Sequence, residues 1–158
     1  HEARTLWFAA TRSPLDEPIL VLNGEGSGPI TTLCVPSDVA AGYAPPGASL
    51  VCVSVNGDTR PDADVVRETR EQLGRWFGQD ATGWRLLVAQ RTPHALPARG
   101  PDAPPPGSQA VRLGSGVYIC GDHREHASLN GALTPNSAWA AADCDSDGLT
   151  MRRACSER

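Results

Sequence analysis

The residue pattern with the clearest chemical potential begins where an apolar run ends in Gly121 and Asp122. Open α/β sheets bind ligands at the carboxyl ends of their strands, and an acid placed there accepts hydrogen bonds from ribose or ribityl hydroxyls. Six residues later, Ser128 is placed to cap a helix whose first N–H groups favour negatively charged oxygens. Gly131 and Ala132 would let a flat or anionic ligand approach the backbone. The spacing is typical of a nucleotide-cofactor site and equally of a plain strand, turn and helix.

Other candidate patterns are explained by turns and polar loops. The alternating glycines of residues 24–28 resemble part of a nucleotide loop, but Pro29 follows and no helix pattern comes after it, which favours a hairpin turn. His123 and His126 have the spacing of metal ligands on a helix, yet a polar loop at a strand end is the favoured interpretation. We therefore predict no metal site. The absence of a G-x-S-x-G pattern leaves serine hydrolysis without support.

The composition excludes several classes of function. The sequence has 158 residues, 40% of them hydrophobic, with a formal net charge of −4. All 14 basic residues are Arg, so neither a Lys Schiff base nor a P-loop Lys is possible. The acidic balance makes nucleic acid a poor partner, and no apolar stretch approaches the roughly 20 residues of a membrane-spanning helix. With 16 Gly and 14 Pro, the chain predicts a loop-rich α/β or α+β body.

Cysteine usage predicts a reducing environment. The five cysteines are odd in number and irregular in spacing, which fits neither a disulfide scaffold nor a zinc site. Cys34, Cys52 and Cys120 lie in β-like runs, where a buried free thiol acts as a small hydrophobe. We expect an intracellular reducing compartment, cytoplasm or plastid, and no secretion.

Apolar periodicity predicts a sheet with one long helix. Strands are expected over residues 4–11, 19–22, 31–35, 49–56, 84–90 and 117–120. A helix is expected from Asp62 to just before Gly78, capped by Thr59 or Asp62, with Gly78 in a left-handed C-terminal position. Its apolar face comprises Val65, Val66, Thr69, Leu73, Trp76 and Phe77. Residues 93–107 hold six prolines and are expected to form an exposed connector.

The segment from Gly121 to Ala132 resembles the C-terminal end of flavin-containing amine oxidases and of phytoene-desaturase-like FAD-dependent oxidoreductases. In those enzymes a strand, Gly-Asp, a short spacer and Ser-x-x-Gly-Ala close the FAD-binding domain. Tyr-Ala-Pro-Pro-Gly at residues 43–47 and His-Ala-Leu-Pro at residues 94–97 are also similar to the family, and the resemblance covers most of residues 4–134.

The resemblance implies an α/β fold class, more closely an α+β fragment, with a boundary inside the chain. Residues 1–98 would form a β-rich portion of the substrate domain and residues 99–110 a Pro-rich connector. Residues 111–142 would supply the closing strand and helix of a Rossmann-like FAD-binding domain, and residues 143–158 a disordered tail. The Gly-rich turn that binds the pyrophosphate in this family is not in the sequence, so we expect a C-terminal fragment that is inactive alone.

The resemblance also implies a cofactor and a reaction. FAD would be bound by Gly121, Asp122, Ser128, Leu129, Asn130, Gly131 and Ala132. The flavin would accept a hydride from a C–N or C–C bond of a small apolar or amine-containing substrate. No catalytic residue is identified, and the oligomeric state is left open. The alternative is a non-catalytic binding or oligomerisation module derived from the same fold.

Overall fold

A five-stranded antiparallel sheet forms the first part of the protein. The structure is a computed structural model that describes residues 1–109, 112–114, 117–119 and 121–133. The strands of this sheet lie in the order β2-β3-β4-β1-β5. Their bounds are β1 Ala3–Ala10, β2 Leu20–Leu22, β3 Thr32–Cys34, β4 Ser49–Asn56 and β5 Arg85–Thr92. Each matches a predicted strand to within two residues.

The two central strands alternate buried and partly exposed side chains, as the period of two predicts. β1 and β4 pair along their full eight residues, with Leu6 opposite Val53 and Phe8 opposite Val51. These inward side chains are fully buried. The other inward residues of the sheet core are Ala10, Leu33, Val35 and Val55. The central pair therefore supplies most of the sheet's contribution to the core.

One long helix contributes the rest of that core. Helix α2 spans Asp62–Phe77, as predicted, and its fully buried side chains are Val65, Thr69, Gln72 and Leu73. The predicted apolar face is correct at three of these four positions, but Gln72 was missed because it is polar. Gly78 ends the helix with φ of +85°, and its N–H donates to the carbonyl oxygen of Gly74 at 3.0 Å.

The predicted N-terminal cap of α2 is wrong. Pro61 occupies the cap position, and no side chain there accepts a hydrogen bond from the helix. Asp62 lies one residue too late to cap, and its carboxylate oxygen Oδ1 lies 2.9 Å from Nε of the buried Arg4. Pro61 still favours this start, because its ring holds φ at −54° and the missing N–H costs nothing there.

The glycine-rich segment before β3 is a hairpin loop, as predicted. β2 and β3 are antiparallel, with Leu20 opposite Cys34 and Leu22 opposite Thr32. Gly26 and Gly28 within the loop have φ of +66° and +75°, values that L side chains rarely adopt. Short helical turns fill other connections: α1 (Pro36–Val39), a 3-10 turn (Ala41–Tyr43) and α3 (Gln79–Thr82).

The chain divides into two compact units, His1–Leu96 and Pro97–Arg158. In the second unit, β6 (Arg112–Gly114) and β7 (Val117–Tyr118) form an antiparallel pair, followed by the helix α4 (Leu129–Leu133). The described strands thus include no parallel pair, and the predicted Rossmann-like portion stays a prediction. Residues 93–107 contain no helix or strand, as predicted. Cys120 and the predicted tail at residues 143–158 lie outside the described residues.

The mixed architecture agrees with the α+β class. Among the described residues, no helix has the length and apolar character that would be needed to cross a bilayer.

Candidate cofactor-binding segment

A tight turn follows β7 and presents the predicted Gly-Asp pair. Gly121 has φ of +147°, and a Cβ at this position would lie 2.7 Å from Nδ1 of His123. The N–H of Arg124 donates to the carbonyl oxygen of Gly121 at 3.0 Å, and that of Glu125 to the carbonyl oxygen of Asp122 at 3.3 Å. Glycine is favoured at position 121 because L side chains rarely adopt this φ and because a Cβ would push the exposed imidazole of His123 aside. Asp122 is half-buried beside it.

The predicted helix start is present and capped. Ser128 Oγ accepts a hydrogen bond from the N–H of Gly131 at 3.0 Å, and the N–H of Ala132 donates to the carbonyl oxygen of Ser128 at 3.0 Å. This is the geometry of an N-cap, which satisfies one of the first N–H groups of a helix. Leu129, the first residue of α4, is 76% exposed. The segment therefore presents an apolar side chain at the beginning of a capped helical turn.

Gly131 is explained by the chain's own packing. A Cβ on Gly131 would lie 2.0 Å from the carbonyl oxygen of His126 and 2.8 Å from the backbone nitrogen of the same residue. The space beside Gly131, where we expected a ligand to approach, is thus occupied by the backbone of His126. Ala132, the next residue, is exposed. A cofactor role for Asn130 and the other predicted residues stays a prediction.

The connector holds the turn in place within the second unit. The guanidinium of Arg99 donates to the carbonyl oxygens of Glu125 and Pro104. Arg124 donates to Oε1 of Gln109 at 2.5 Å. These contacts join residues 99–109 to the turn, which fixes the backbone on which Asp122 lies.

The structure offers no described side chain that completes a metal site with the two histidines. His123 lies in the turn and His126 follows it, and the described part of the chain contains no group of three or more His, Cys, Asp or Glu side chains that could hold a metal ion. One segment of the second unit, from the turn after β7 to the fourth residue of α4, contains Gly121, Asp122, Ser128, Leu129, Asn130, Gly131 and Ala132.

A separate cavity opens in the first unit, at the end of the sheet where β1 finishes and β5 begins. It has a volume of about 1190 Å³, and Trp76, Phe77 and Trp84 contribute to its lining. Phe77 stacks on Trp84 with ring centroids 6.1 Å apart and meets Trp76 edge-on at 6.2 Å. An exposed ion pair between Arg12 and Asp80, 3.8 Å apart, also lines the cavity. The spacing of the aromatic residues on α2 predicted core packing, which is confirmed because Trp76 and Phe77 pack against the buried core. Their position in the cavity wall was not predicted.

The protein matches the family of flavin-containing amine oxidoreductases over residues 6–144. Because the match extends over most of the sequence, the chain belongs to this family.

Two solved structures match this chain, and the one with the higher TM-score is similar in fold. An oxidoreductase from Methanosarcina mazei matches 89% of this chain with a TM-score of 0.65 and 16% sequence identity. A protein from Pyrococcus furiosus matches 63% of this chain with a TM-score of 0.47 and 19% identity. The chain spans 34% of the Methanosarcina protein and 23% of the Pyrococcus protein. Among proteins with curated functional descriptions, none matches the sequence.

Proposed function

We propose that this chain is the C-terminal part of an FAD-dependent oxidoreductase, related to the phytoene desaturases, that removes a hydride from a C–N or C–C bond. Its membership of the flavin-containing amine oxidoreductase family carries this proposal. The substrate would be a small apolar or amine-containing molecule, and FAD rather than another flavin would be the cofactor. The Rossmann-like FAD-binding domain would include the turn and helix of the second unit.

The turn and α4 carry the kinds of chemical group that bind a flavin nucleotide. Asp122 offers a carboxylate that accepts hydrogen bonds from ribityl or ribose hydroxyls. The first turn of α4 carries partial positive charge, which favours the cofactor's negative oxygens. Exposed Leu129 offers apolar surface beside that turn. When bound, the flavin supplies the hydride acceptor, and the role of these residues is to hold and orient it.

The experiment is flavin retention in the native gene product that contains this sequence. We expect the purified protein to carry FAD, released on denaturation and identified by chromatography. Asp122→Ala should lower the ratio of FAD to protein, whereas Asp102→Ala, an exposed change in the connector, should leave it unchanged. Equal FAD retention in both variants would overturn the role of Asp122. A native protein without flavin would overturn the proposed function.

The second candidate function is a non-catalytic binding module. The cavity of the first unit favours it, because small-molecule sites are concave, and this one combines aromatic side chains with polar and charged ones such as Arg12 and Asp80. Saturable binding of the probe anilinonaphthalene sulfonate should then be weakened by Trp84→Ala. The control is Trp7→Ala, since Trp7 is on β1 and outside the cavity lining. Equal effects of both changes would remove the support for this candidate.

A further inference from the structure

Two cysteines face each other on neighbouring strands of the sheet. Cys34 of β3 is directly opposite Cys52 of β4. Facing residues on antiparallel strands have Cα atoms about 4.5–5.5 Å apart, which lies inside the range of about 4.4–6.8 Å found in disulfides. Both thiols are free and half-buried. The geometry thus places two thiols at bonding reach without any change in strand order.

The pair lies on the sheet face opposite α2. The register aligns Leu20, Cys34, Cys52, Trp7 and Val88 in one row across all five strands. Inward residues such as Leu33 and Val53, one position away on the same strands, are fully buried, so the row points to the other face. Leu20 and Val88 at its two ends are 60% and 48% exposed. No ionisable group other than the two thiols belongs to this row.

We propose that Cys34 and Cys52 form a reversible thiol–disulfide site, which a peroxide oxidises. The Cys34 sulfur attacks one peroxide oxygen, the O–O bond breaks, and a sulfenic acid and one water form when the oxidant is hydrogen peroxide. The Cys52 sulfur then attacks the Cys34 sulfur, the S–O bond breaks, and a second water leaves. Two thiols and one peroxide give one disulfide and two waters, with two electrons passing from sulfur to oxygen.

The environment of the pair distinguishes the two roles. Burial raises the pKa of the Cys52 thiol to about 12, and the charge of Cys34 and a hydrogen bond to it add to the effect. Since the thiolate is the nucleophile, Cys52 reacts slowly with a free oxidant. Cys34 also lies next to the edge strand, beside the 60% exposed Leu20, whereas Cys52 lies between Cys34 and Trp7. Cys34 is therefore the attacking thiol and Cys52 the resolving thiol.

Strand geometry also makes the bond easy to reverse. The Cβ atoms of facing residues lie about 4.5–5.5 Å apart, whereas a disulfide needs about 3.5–4.5 Å. Closing the bond draws β3 towards β4 and strains it, and strained disulfides are readily reduced. The proposal does not depend on the flavin, since it names its own oxidant.

The test is disulfide mapping on the whole 158-residue chain. Reduced protein, freed of reductant, is treated with one equivalent of hydrogen peroxide, alkylated and digested with chymotrypsin. Because Tyr43 lies between the two cysteines, cleavage after it separates their peptides. We expect those two peptides to be joined by a disulfide that dithiothreitol reverses. Alkylation of both cysteines, or a bond from either one to a different cysteine, would overturn the proposal.

Variants test the two roles. Cys52→Ser should leave Cys34 as a sulfenic acid that dimedone labels, whereas Cys34→Ser should give no dimedone label at Cys52. The matched control Cys120→Ser should form the Cys34–Cys52 bond as the unmodified chain does. Equal labelling of both single variants would overturn the assignment of roles.

A measurement on the unmodified chain avoids any folding defect of the variants. Phenylarsine oxide condenses with two adjacent thiols, forming two As–S bonds and releasing one water. We expect one adduct that blocks alkylation of both Cys34 and Cys52. Free alkylation of either cysteine after this treatment would overturn the proposal.

Discussion

The Cα of Gly28 faces the side-chain amide of Gln72 so closely that a Cβ at position 28 would lie 2.2 Å from Oε1. Gln72 is fully buried in α2. Its Nε2 donates to the carbonyl oxygen of Ser27 at 2.9 Å, and its Oε1 accepts from the N–H of Ile30 at 3.0 Å. One helix side chain thus satisfies backbone groups on both sides of the glycine and fixes the hairpin loop to the helix.

Replacing Gly28 by Ala should destabilise the protein by at least about 2 kcal/mol. A positive φ costs an L residue roughly 1–2 kcal/mol, and a side chain forced into a packed site adds about 1–3 kcal/mol. The matched control is Gly26→Ala, where φ is +66° and no atom lies within 4 Å of the added Cβ. Gly26→Ala should therefore lose only the stability that corresponds to the backbone strain. Urea unfolding measures both, and equal losses would contradict the contact with Gln72.

A double-mutant cycle separates the clash from the backbone strain. Gln72→Ala leaves the buried N–H of Ile30 without its acceptor, at a cost of about 1–3 kcal/mol. In that background, Gly28→Ala should cost only the backbone strain, because the amide it meets is gone. The coupling free energy is obtained from four unfolding curves. Additive effects would show that the two residues do not contact each other in solution.

Replacing Arg4 by a large apolar residue should destabilise the protein less than replacing it by a small one. The side chain of Arg4 is 1% exposed, and its Nη2 donates to the carbonyl oxygen of Arg60 at 2.9 Å. Asp62 Oδ1 lies 2.9 Å from Nε of Arg4, but the geometry does not allow a hydrogen bond. Nη1 has no hydrogen-bond partner in the described part of the chain. Replacing a buried charge by an apolar side chain is tolerated when its partners keep other stabilisation. The side chain of Asp62 is 52% exposed to solvent, and Glu2, 3.7 Å from Nη2 of Arg4, is also paired with Arg91.

We therefore expect Arg4→Met to change the free energy of unfolding by less than about 1 kcal/mol. Arg4→Ala should cost about 2 kcal/mol or more, because the buried volume is lost. Thermal or urea unfolding distinguishes the two. Equal, large losses in both variants would show that the charge itself stabilises the fold.

Acid should remove a stabilising contribution from the Arg60 cluster. Arg60 donates to Asp58 at 2.7 Å and to Glu68 at 2.8 Å, and these hydrogen bonds lower the pKa of each carboxyl group. A carboxyl group whose pKa is lower in the folded state stabilises the fold at higher pH, and this stability is lost as the pH falls through the folded pKa. The loss begins below about 4.5 and 3.8, the ordinary values for Glu and Asp.

Arg60→Gln should consequently lower the urea midpoint at pH 7, and its difference from the unmodified protein should shrink as the pH falls below about 4.5. Arg85→Gln is the control, because Arg85 is exposed and forms no ion pair with any residue that the structure describes. A difference for Arg60→Gln that persists unchanged in acid would contradict the prediction.

Alkylation of Cys52 should need unusually high pH. The thiolate is the reactive form, and burial raises the pKa of this thiol from 9.0 to about 12. The rate of reaction with iodoacetamide should therefore still rise above pH 9, measured by mass spectrometry of the Cys52 peptide. In Cys34→Ala the rise should occur at somewhat lower pH, since the neighbour's charge and hydrogen bond are removed while most of the burial remains. A rate that levels off near pH 9 in the unmodified chain would be inconsistent with the buried site.

Local patterns predicted the elements of the first unit well. In β4 the alternation of apolar residues matches the buried face, and in α2 the spacing of Val65, Thr69 and Leu73 matches the helix face. These signals suffice because each element buries one continuous face. Gln72 was not predicted as buried, since its partners Ser27 and Ile30 lie 45 and 42 positions away in the sequence. Local periodicity contains no information about such partners.

The structure of the candidate cofactor segment could be predicted only in part from the sequence. Ser128 caps α4 as its residue type predicts. Gly131, in contrast, is needed for contact with the backbone of His126, a packing requirement that spacing does not reveal. Which strand pairs with β7 also depends on distant residues, and the described strand β6 is antiparallel to it. The cofactor role of Asp122 remains a prediction that flavin retention tests.

The position of β1 inside the sheet has a consequence for synthesis of the protein. β1 precedes both of its neighbours, β4 and β5, in the sequence, and Ala3 pairs with Asn56 and with Thr92. During translation β1 must therefore wait for β5 to leave the ribosome, with Leu6 and Phe8 uncovered in the meantime. Long-range pairing of this kind slows folding and exposes apolar strands to other chains. Newly made chains should therefore be most prone to aggregation before residue 92 has emerged.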